Sequence, residues 1–162
     1  MLKRLLCAVF SLLILVGCNN NFRKFEPITK GIDFLAEIKY YNEHYECICD
    51  INSSGEMHAE FTYPAEIEGL KYNVSKNGIS AEYEELEYIN KNEIFENTAA
   101  YLIWDVLSNV KGQVKSEDNL FFVEGKTKEF DYRLELGSSG LPIKLTTKPD
   151  IIEVTFKNVK IK

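Results

Sequence analysis

Four cysteines and two histidines are the residues of this chain that could build a redox or metal site. Cys47 and Cys49 lie two positions apart in a stretch that alternates like a strand, so both side chains point to one face. A disulfide between them would be strained, because i and i+2 Cα atoms of a strand lie about 6.5 Å apart, near the upper limit for bridging. We therefore expect two buried thiols, with a redox or metal-binding pair as the alternative.

The remaining candidate groups do not complete a catalytic or metal site. A metal at the thiols would need further ligands, and His58 alternates out of phase with the apolar residues of its strand, which predicts a position facing solvent. Neither histidine has a serine or cysteine partner nearby, and no glycine-rich phosphate loop is present. The acidic cluster Glu82, Glu84, Glu85 and Glu87 is typical of a solvated strand face. The sequence thus predicts a protein that is not an enzyme and that has no metal or cofactor.

The first eighteen residues have the pattern of a targeting segment. Lys3 and Arg4 precede an apolar run over residues 5–16, which is too short for a permanent membrane span and is typical of a secretory signal. Its end, Leu15-Val16-Gly17-Cys18, resembles the lipobox of bacterial lipoproteins. The resemblance implies cleavage before Cys18, a diacylated Cys18 thiol and often an acylated amino terminus. The alternatives are an ordinary cleaved signal or a short membrane anchor.

This interpretation divides the chain into three parts. Residues 1–17 are the predicted lipoprotein signal peptide, residues 18–30 a polar lipid-anchored tether, and residues 31–162 a single folded domain. Several acyl chains on one residue give stable anchoring, whereas a single chain holds a protein only marginally. We therefore expect a protein held in the cell membrane through Cys18 and facing the extracytoplasmic side.

The negative charge of the chain argues against nucleic acid as a partner. The formal net charge is −6, and removal of residues 1–17, which contain two basic residues and no acidic ones, changes it to −8. An acidic domain is not suited to bind nucleic acid or to lie on anionic lipid headgroups through a basic patch. With 45% hydrophobic residues, the domain has enough apolar side chains for a packed core.

From residue 32 onward the dominant pattern is an alternation with a period of two, which predicts strands with one dry face. The turn at residues 52–55 and the Asn77-Gly78 pair are hairpin signals, and residues 137–140 form another turn. A slip in the alternation before Val159 indicates a β-bulge. We predict nine or ten strands in total.

One segment, residues 93–112, has helical spacing instead. Its apolar residues recur at intervals of three and four, and Gly112 lies where a C-terminal cap belongs. Trp104 falls beside the centre of the apolar stripe, which indicates a position facing a rim or an open cavity.

The widths of these elements predict the architecture. Nine strands make a sheet about 40 Å wide, whereas one helix covers a strip about 10 Å across. The helix cannot cover the dry face unless the sheet curls around it. The predicted fold is mainly β: a strongly curved antiparallel half-barrel, or a closed barrel, with one main helix packed in or over the concave face. Such a fold tends to leave a concave apolar cavity, which is a common type of ligand site.

The C-terminal stretch carries a family resemblance. Gly140-Leu141-Pro142-Ile143-Lys144 followed by Val154-Thr155-Phe156-Lys157-Asn158-Val159-Lys160-Ile161 resembles the end of the LolA/LppX-like lipoprotein superfamily. The resemblance implies a curved half-barrel with a helical lid, whose interior holds acyl chains or the lipid moiety of a lipoprotein. The chain departs from the family at its front, where residues 19–30 leave little room for the usual helix before the first strand.

Two functions follow as expectations. The first is binding of a lipid, a lipoprotein acyl chain or another hydrophobic ligand in the concave face. The alternative is a non-enzymatic envelope interaction or regulatory protein, related to sporulation or germination by family analogy, with a packed interior and a protein partner. From strand parity and helix spacing, the candidate cavity residues are Phe34, Tyr40, Phe61, Tyr72, Tyr83, Phe95, Leu102, Phe130 and Tyr132.

Overall fold

The structure is a computed structural model that describes residues 26–90, 98–118 and 120–162. The signal peptide, Cys18, most of the tether and Phe95 are predictions that lie outside the described residues. The elements are β1 (Ile32–Tyr40), β2 (Glu43–Ile51), β3 (Met57–Tyr63), a 3-10 turn (Ala65–Ile67), β4 (Lys71–Ser75), β5 (Gly78–Tyr83), β6 (Leu86–Asn90), α1 (Ala99–Asn109), β7 (Lys115–Glu117), β8 (Leu120–Lys126), β9 (Asp131–Leu136), β10 (Pro142–Lys148) and β11 (Ile152–Ile161).

The eleven described strands form one curved, unclosed antiparallel sheet. Two meanders, β1 to β6 and β7 to β11, join at the centre of the sheet where β1 pairs with β11. The chain leaves the sheet at one edge, β6, and returns at the other edge, β7. The connection between the two edges contains α1, whose side chains join the core of the concave face. The predicted fold class is therefore confirmed.

The alternation in the sequence places the strand residues correctly. In β1, Ile32, Phe34, Ala36 and Ile38 are buried, and the residues between them are more exposed. They belong to one hydrophobic cluster that includes the buried residues of the helix and of both meanders. The concave face is thus the dry face, as a half-buried antiparallel sheet requires. The predicted bulge is present too, since the β1–β11 register shifts between Asp33 and Leu35, and Asn158 has a positive φ of 53°.

The residues that the structure describes form eleven strands rather than nine or ten, because β7 is an additional edge strand. All three of its residues are exposed, so no apolar alternation signals it in the sequence. It pairs only with β8, with Lys115 opposite Phe122.

The helix is shorter at its C-terminal end than predicted. Thr98 caps its N-terminus, where the Tyr101 N–H donates to Thr98 Oγ1 over 3.2 Å. It ends at Asn109, and Val110 is already extended, so Gly112 is not the capping residue. As α1 has eleven residues, it is about 16 Å long. No helix in the described ranges is long and apolar enough to cross a membrane.

The predicted position of Trp104 at a rim or open cavity is wrong. Its side chain is buried, with 7% of its surface exposed, and its Nε1–H donates to the Gly55 carbonyl oxygen over 2.7 Å. The Ser108 hydroxyl donates to the same oxygen over 3.1 Å. Helical spacing alone could not predict this contact, because the acceptor lies in the β2–β3 turn, 49 residues earlier in the chain.

Candidate functional site

An apolar cavity lies on the concave side of the sheet, between strands β4 to β6 and the start of α1. Its volume is about 220 Å³. Tyr72, Ala81 and Tyr88 are directly opposite one another on β4, β5 and β6. Ala81 therefore lies between two tyrosines, and its methyl group leaves the space that a larger side chain would fill. The cavity is lined by Tyr72, Ile79, Ala81, Tyr88 and Thr98.

Among the described residues that line this cavity, none has an acidic or basic side chain. Burial raises the pKa of the Tyr72 phenol above its ordinary value, so this hydroxyl stays neutral at physiological pH. Phe61 packs edge-on against the Tyr72 ring, with ring centroids 5.9 Å apart. Such a cavity favours an apolar group, because a charged ligand would lose its hydration there without gaining a charged partner.

Most of the candidate cavity residues lie elsewhere in the structure. Phe34, Phe61, Leu102 and Tyr132 are buried in the core. Tyr40 and Phe130 are partly buried against that core, and the Tyr83 hydroxyl donates to the Glu66 carbonyl oxygen over 3.2 Å. Among these candidates, Tyr72 lines the cavity described above, and Leu102 lines a separate space of about 50 Å³ beside residues 127–129.

Four lining residues, Ile79, Ala81, Tyr88 and Thr98, are not among the cavity residues that the sequence predicts. A usable signal is present for Ala81. The Asn77-Gly78 turn sets the β4–β5 register, which places Ala81 opposite Tyr72. A small residue opposite an aromatic one on the dry face is a place where space can remain. The contribution of Thr98 depends on where the helix begins, and strand parity carries no information about that.

The convex face carries a row of polar side chains across β2 to β5. Asp50, His58, Asn73 and Ser80 are successive cross-strand partners and line an open groove of about 360 Å³. His58 Nδ1 lies 2.8 Å from Asn73 Oδ1, the Asn73 amide donates to Ser80 Oγ over 3.4 Å, and Asp50 pairs with the Lys162 ammonium group. His58 is on the solvent-facing side, as predicted. Within the described ranges, no three His, Cys, Asp or Glu residues are placed to hold a metal ion.

The two strand cysteines are buried thiols, as predicted, on the concave side of β2. Their Sγ atoms are 3.3 Å apart. The hydrogen bond to Cys47, together with burial, raises the pKa of Cys49 well above its ordinary value. The thiolate is the form of cysteine that reacts and that binds metal ions. Since the raised pKa disfavours this form, the pair contributes to the packing of the core.

The acidic cluster on β5, the following turn and β6 is exposed. All of its members, Glu82, Glu84, Glu85 and Glu87, face solvent to a large degree. The β6 edge also exposes apolar side chains, since Leu86 is 74% exposed and Ile89 is 58% exposed. This edge is thus acidic and apolar at the same time.

Solved structures with a similar architecture include proteins from two bacteria. A protein from Thermus thermophilus, described as an uncharacterised conserved protein, superposes with a TM-score of 0.53 at 10% identity, over 83% of this chain and 80% of that one. A LolA superfamily protein from Nitrosomonas europaea superposes with a TM-score of 0.49 at 9% identity, over 86% of this chain and 89% of that one. The Thermus protein, with the higher TM-score, carries the conclusion that the fold is shared. No protein-family model and no curated protein matches the sequence.

Proposed function

We propose that this protein is a lipid-anchored extracytoplasmic binding protein, not an enzyme, whose concave cavity takes an apolar group. The observation that carries this proposal is the cavity of about 220 Å³ between β4 to β6 and the N-terminus of α1, whose described lining has no acidic or basic side chain. Concave, mainly apolar sites with a few polar groups are the usual form of small-molecule sites. Here the polar members are the hydroxyl groups of Tyr72, Tyr88 and Thr98.

The anchoring part of the proposal rests on the sequence of residues 1–18. The basic start, the short apolar run and Leu15-Val16-Gly17-Cys18 support acylation of Cys18. An acidic domain on such an anchor stays soluble next to the membrane surface.

The size of the cavity restricts the ligand. Typical ligand pockets have volumes of about 300–1,000 Å³, and this cavity is smaller. The candidate residues that would have enlarged it, among them Phe34, Phe61 and Leu102, are packed in the core instead. The cavity therefore suits the end of an acyl chain, from a lipid or from a lipoprotein, better than a complete lipid. An acyl ligand also agrees with what the resemblance of residues 140–161 implies.

A protein partner is the second candidate, because apolar side chains are exposed on both faces of the β6 edge. Leu86 shares the concave face with Tyr88, and Ile89 lies on the convex face opposite Ser80. An apolar side chain of a partner that pairs with this edge would also fit the cavity. In this case the interior stays packed, and the cavity receives a residue instead of a lipid.

A fluorescent apolar probe, N-phenyl-1-naphthylamine, tests whether the cavity binds apolar groups. Ala81→Phe fills the space between Tyr72 and Tyr88, so we expect it to abolish most of the fluorescence increase that the probe gives with the unaltered protein. Ser80→Phe is the matched control, because it adds the same side chain one residue away on the opposite face. Unfolding curves establish that both variants are folded. Equal probe binding by Ala81→Phe and the unaltered protein would contradict the proposal.

A further inference from the structure

One end of the half-barrel is closed by the start of the described chain. Residues 26–31 cross from the β9–β10 turn to the β2–β3 turn. The Ile28 N–H donates to the Gly140 carbonyl oxygen over 2.8 Å. Two residues later, Lys30 Cε and Nζ lie 3.3 Å from the position that a Cβ atom would take at Gly55. Between them, Thr29 is 8% exposed. We call this end, with its turns at residues 52–55, 75–78 and 137–140, the closed end.

The helix is attached to the same end. Trp104 and Ser108, in the second half of α1, both donate to the Gly55 carbonyl oxygen. Thr98, at the start of the helix, lines the apolar cavity. Ile79, another lining residue, directly follows the turn at residues 75–78, so the cavity reaches the closed end of β5.

The two ends also differ in charge. The turns at residues 52–55, 75–78 and 137–140 are built from Ser, Asn and Gly, with Lys76 as their single charged residue, and Asp118 lies in the β7–β8 connection at the same end. The turns at the opposite end, which we call the far end, are mostly acidic. They contain Glu66, Glu68, Glu84, Glu85, Glu129 and Asp150 with the basic Lys128, and Glu43 begins β2 next to the β1–β2 turn. An anionic bilayer surface repels the far end and does not repel the closed end.

The length of the preceding chain limits where the anchor can be. Eight peptide units join Cys18 to Glu26, and a fully extended chain of that length covers at most about 28 Å. Glu26 lies only two residues from Ile28, which is bonded to the β9–β10 turn. The far end is separated from the closed end by the length of β1, which is about 30 Å for nine residues.

From these observations we infer that the closed end lies against the phospholipid headgroups of the membrane that holds the anchor. This inference rests on the proposed acylation of Cys18. The far end then projects away from the bilayer.

Site-directed labelling of the full, lipidated protein tests this orientation. The protein is reconstituted into phosphatidylethanolamine–phosphatidylglycerol vesicles that contain a lipid with a nitroxide on its headgroup, which quenches nearby dyes. Cys47 and Cys49 are at most 1% exposed, so a maleimide dye labels the introduced cysteine selectively. All four labelling positions are exposed; they are Ser54→Cys and Ser139→Cys at the closed end, and Asn42→Cys and Glu85→Cys at the far end.

We expect strong quenching of the fluorescence of both labels at the closed end. The fluorescence of both far-end labels should be no lower than with vesicles that lack the nitroxide lipid. Equal quenching at the two ends, or stronger quenching at the far end, would overturn the orientation while leaving the anchor intact. Flotation of the protein with the vesicles tests the anchor separately. If the unaltered protein floats with the vesicles and the Cys18→Ser variant does not, the result supports acylation of Cys18. If both float equally or neither floats, the anchor proposal fails, and the orientation derived from it fails as well.

Discussion

At the residue scale, the cavity exists because one alanine lies between two tyrosines. Ala81 is opposite Tyr72 on one side and Tyr88 on the other. The alternation in the sequence correctly predicts that Tyr72 points to the concave face. It also predicts that Phe34 and Phe61 do so, but it carries no information on whether a side chain lines a cavity or fills it. That difference depends on ring contacts across strands, such as Phe34 with Phe156 at 5.2 Å.

The raised pKa of Tyr72 gives a prediction on stability at alkaline pH. Because burial raises the pKa of Tyr72 in the folded state, its neutral phenol contributes stability that is fully present below about pH 10, the pKa in the unfolded chain. This contribution is lost as the pH rises through the folded pKa. We expect Tyr72→Phe to reduce the loss of unfolding free energy between neutral and strongly alkaline pH, measured by urea unfolding followed by circular dichroism.

Tyr63→Phe is the matched control, because Tyr63 is 49% exposed. It should leave the alkaline loss of unfolding free energy as it is in the unaltered protein. If Tyr72→Phe shows the same alkaline loss as the unaltered protein, then burial of this phenol does not contribute to the pH dependence.

At the scale of elements, strands were more predictable from the sequence than the helix. Hairpin turns and alternation are local signals, and the turns at residues 52–55 and 137–140 are where the sequence predicts them. The edge strand β7 has no dry face and so gives no signal. Trp104 was misplaced because its partner, the Gly55 carbonyl oxygen, belongs to a turn that is distant in sequence. Contacts between distant elements decide such positions, and periodicity does not contain them.

The attachment of α1 to the β2–β3 turn is expected to be cooperative. Two donors, from Trp104 and Ser108, share the buried Gly55 carbonyl oxygen. Trp104→Phe and Ser108→Ala each leave one donor to this oxygen. The loss of the other hydrogen bond should lower the free energy of unfolding by about 0.5–1.5 kcal/mol. The double variant leaves a buried acceptor unpaired, so its loss should exceed the sum of the single losses by about 1 kcal/mol.

Guanidinium unfolding of the two single variants and the double variant, followed by circular dichroism, measures this coupling. Asn109→Ala serves as a control on the exposed end of the helix and should change the free energy of unfolding by less than about 0.5 kcal/mol. Strict additivity of the two substitutions would contradict a shared acceptor.

At the scale of the whole molecule, the sheet has a closed end with nearly uncharged turns and a far end with acidic turns. The sequence gives the net charge of the chain but not this distribution, because the turns of each end are separated in sequence and meet only through the strand order. In the orientation that we propose, the lipid anchor at the start of the chain and the cover formed by residues 26–31 place the closed end at the membrane.

The most direct test of the central claim, that the concave cavity binds an apolar group, is native mass spectrometry of residues 19–162. This form keeps every residue of the hydrophobic core, which begins at Ile28. After incubation with envelope lipids, we expect a bound apolar adduct on the unaltered protein and on Ser80→Phe, and its loss from folded Ala81→Phe. An unliganded mass for all three proteins, or an adduct that Ala81→Phe retains, would contradict it.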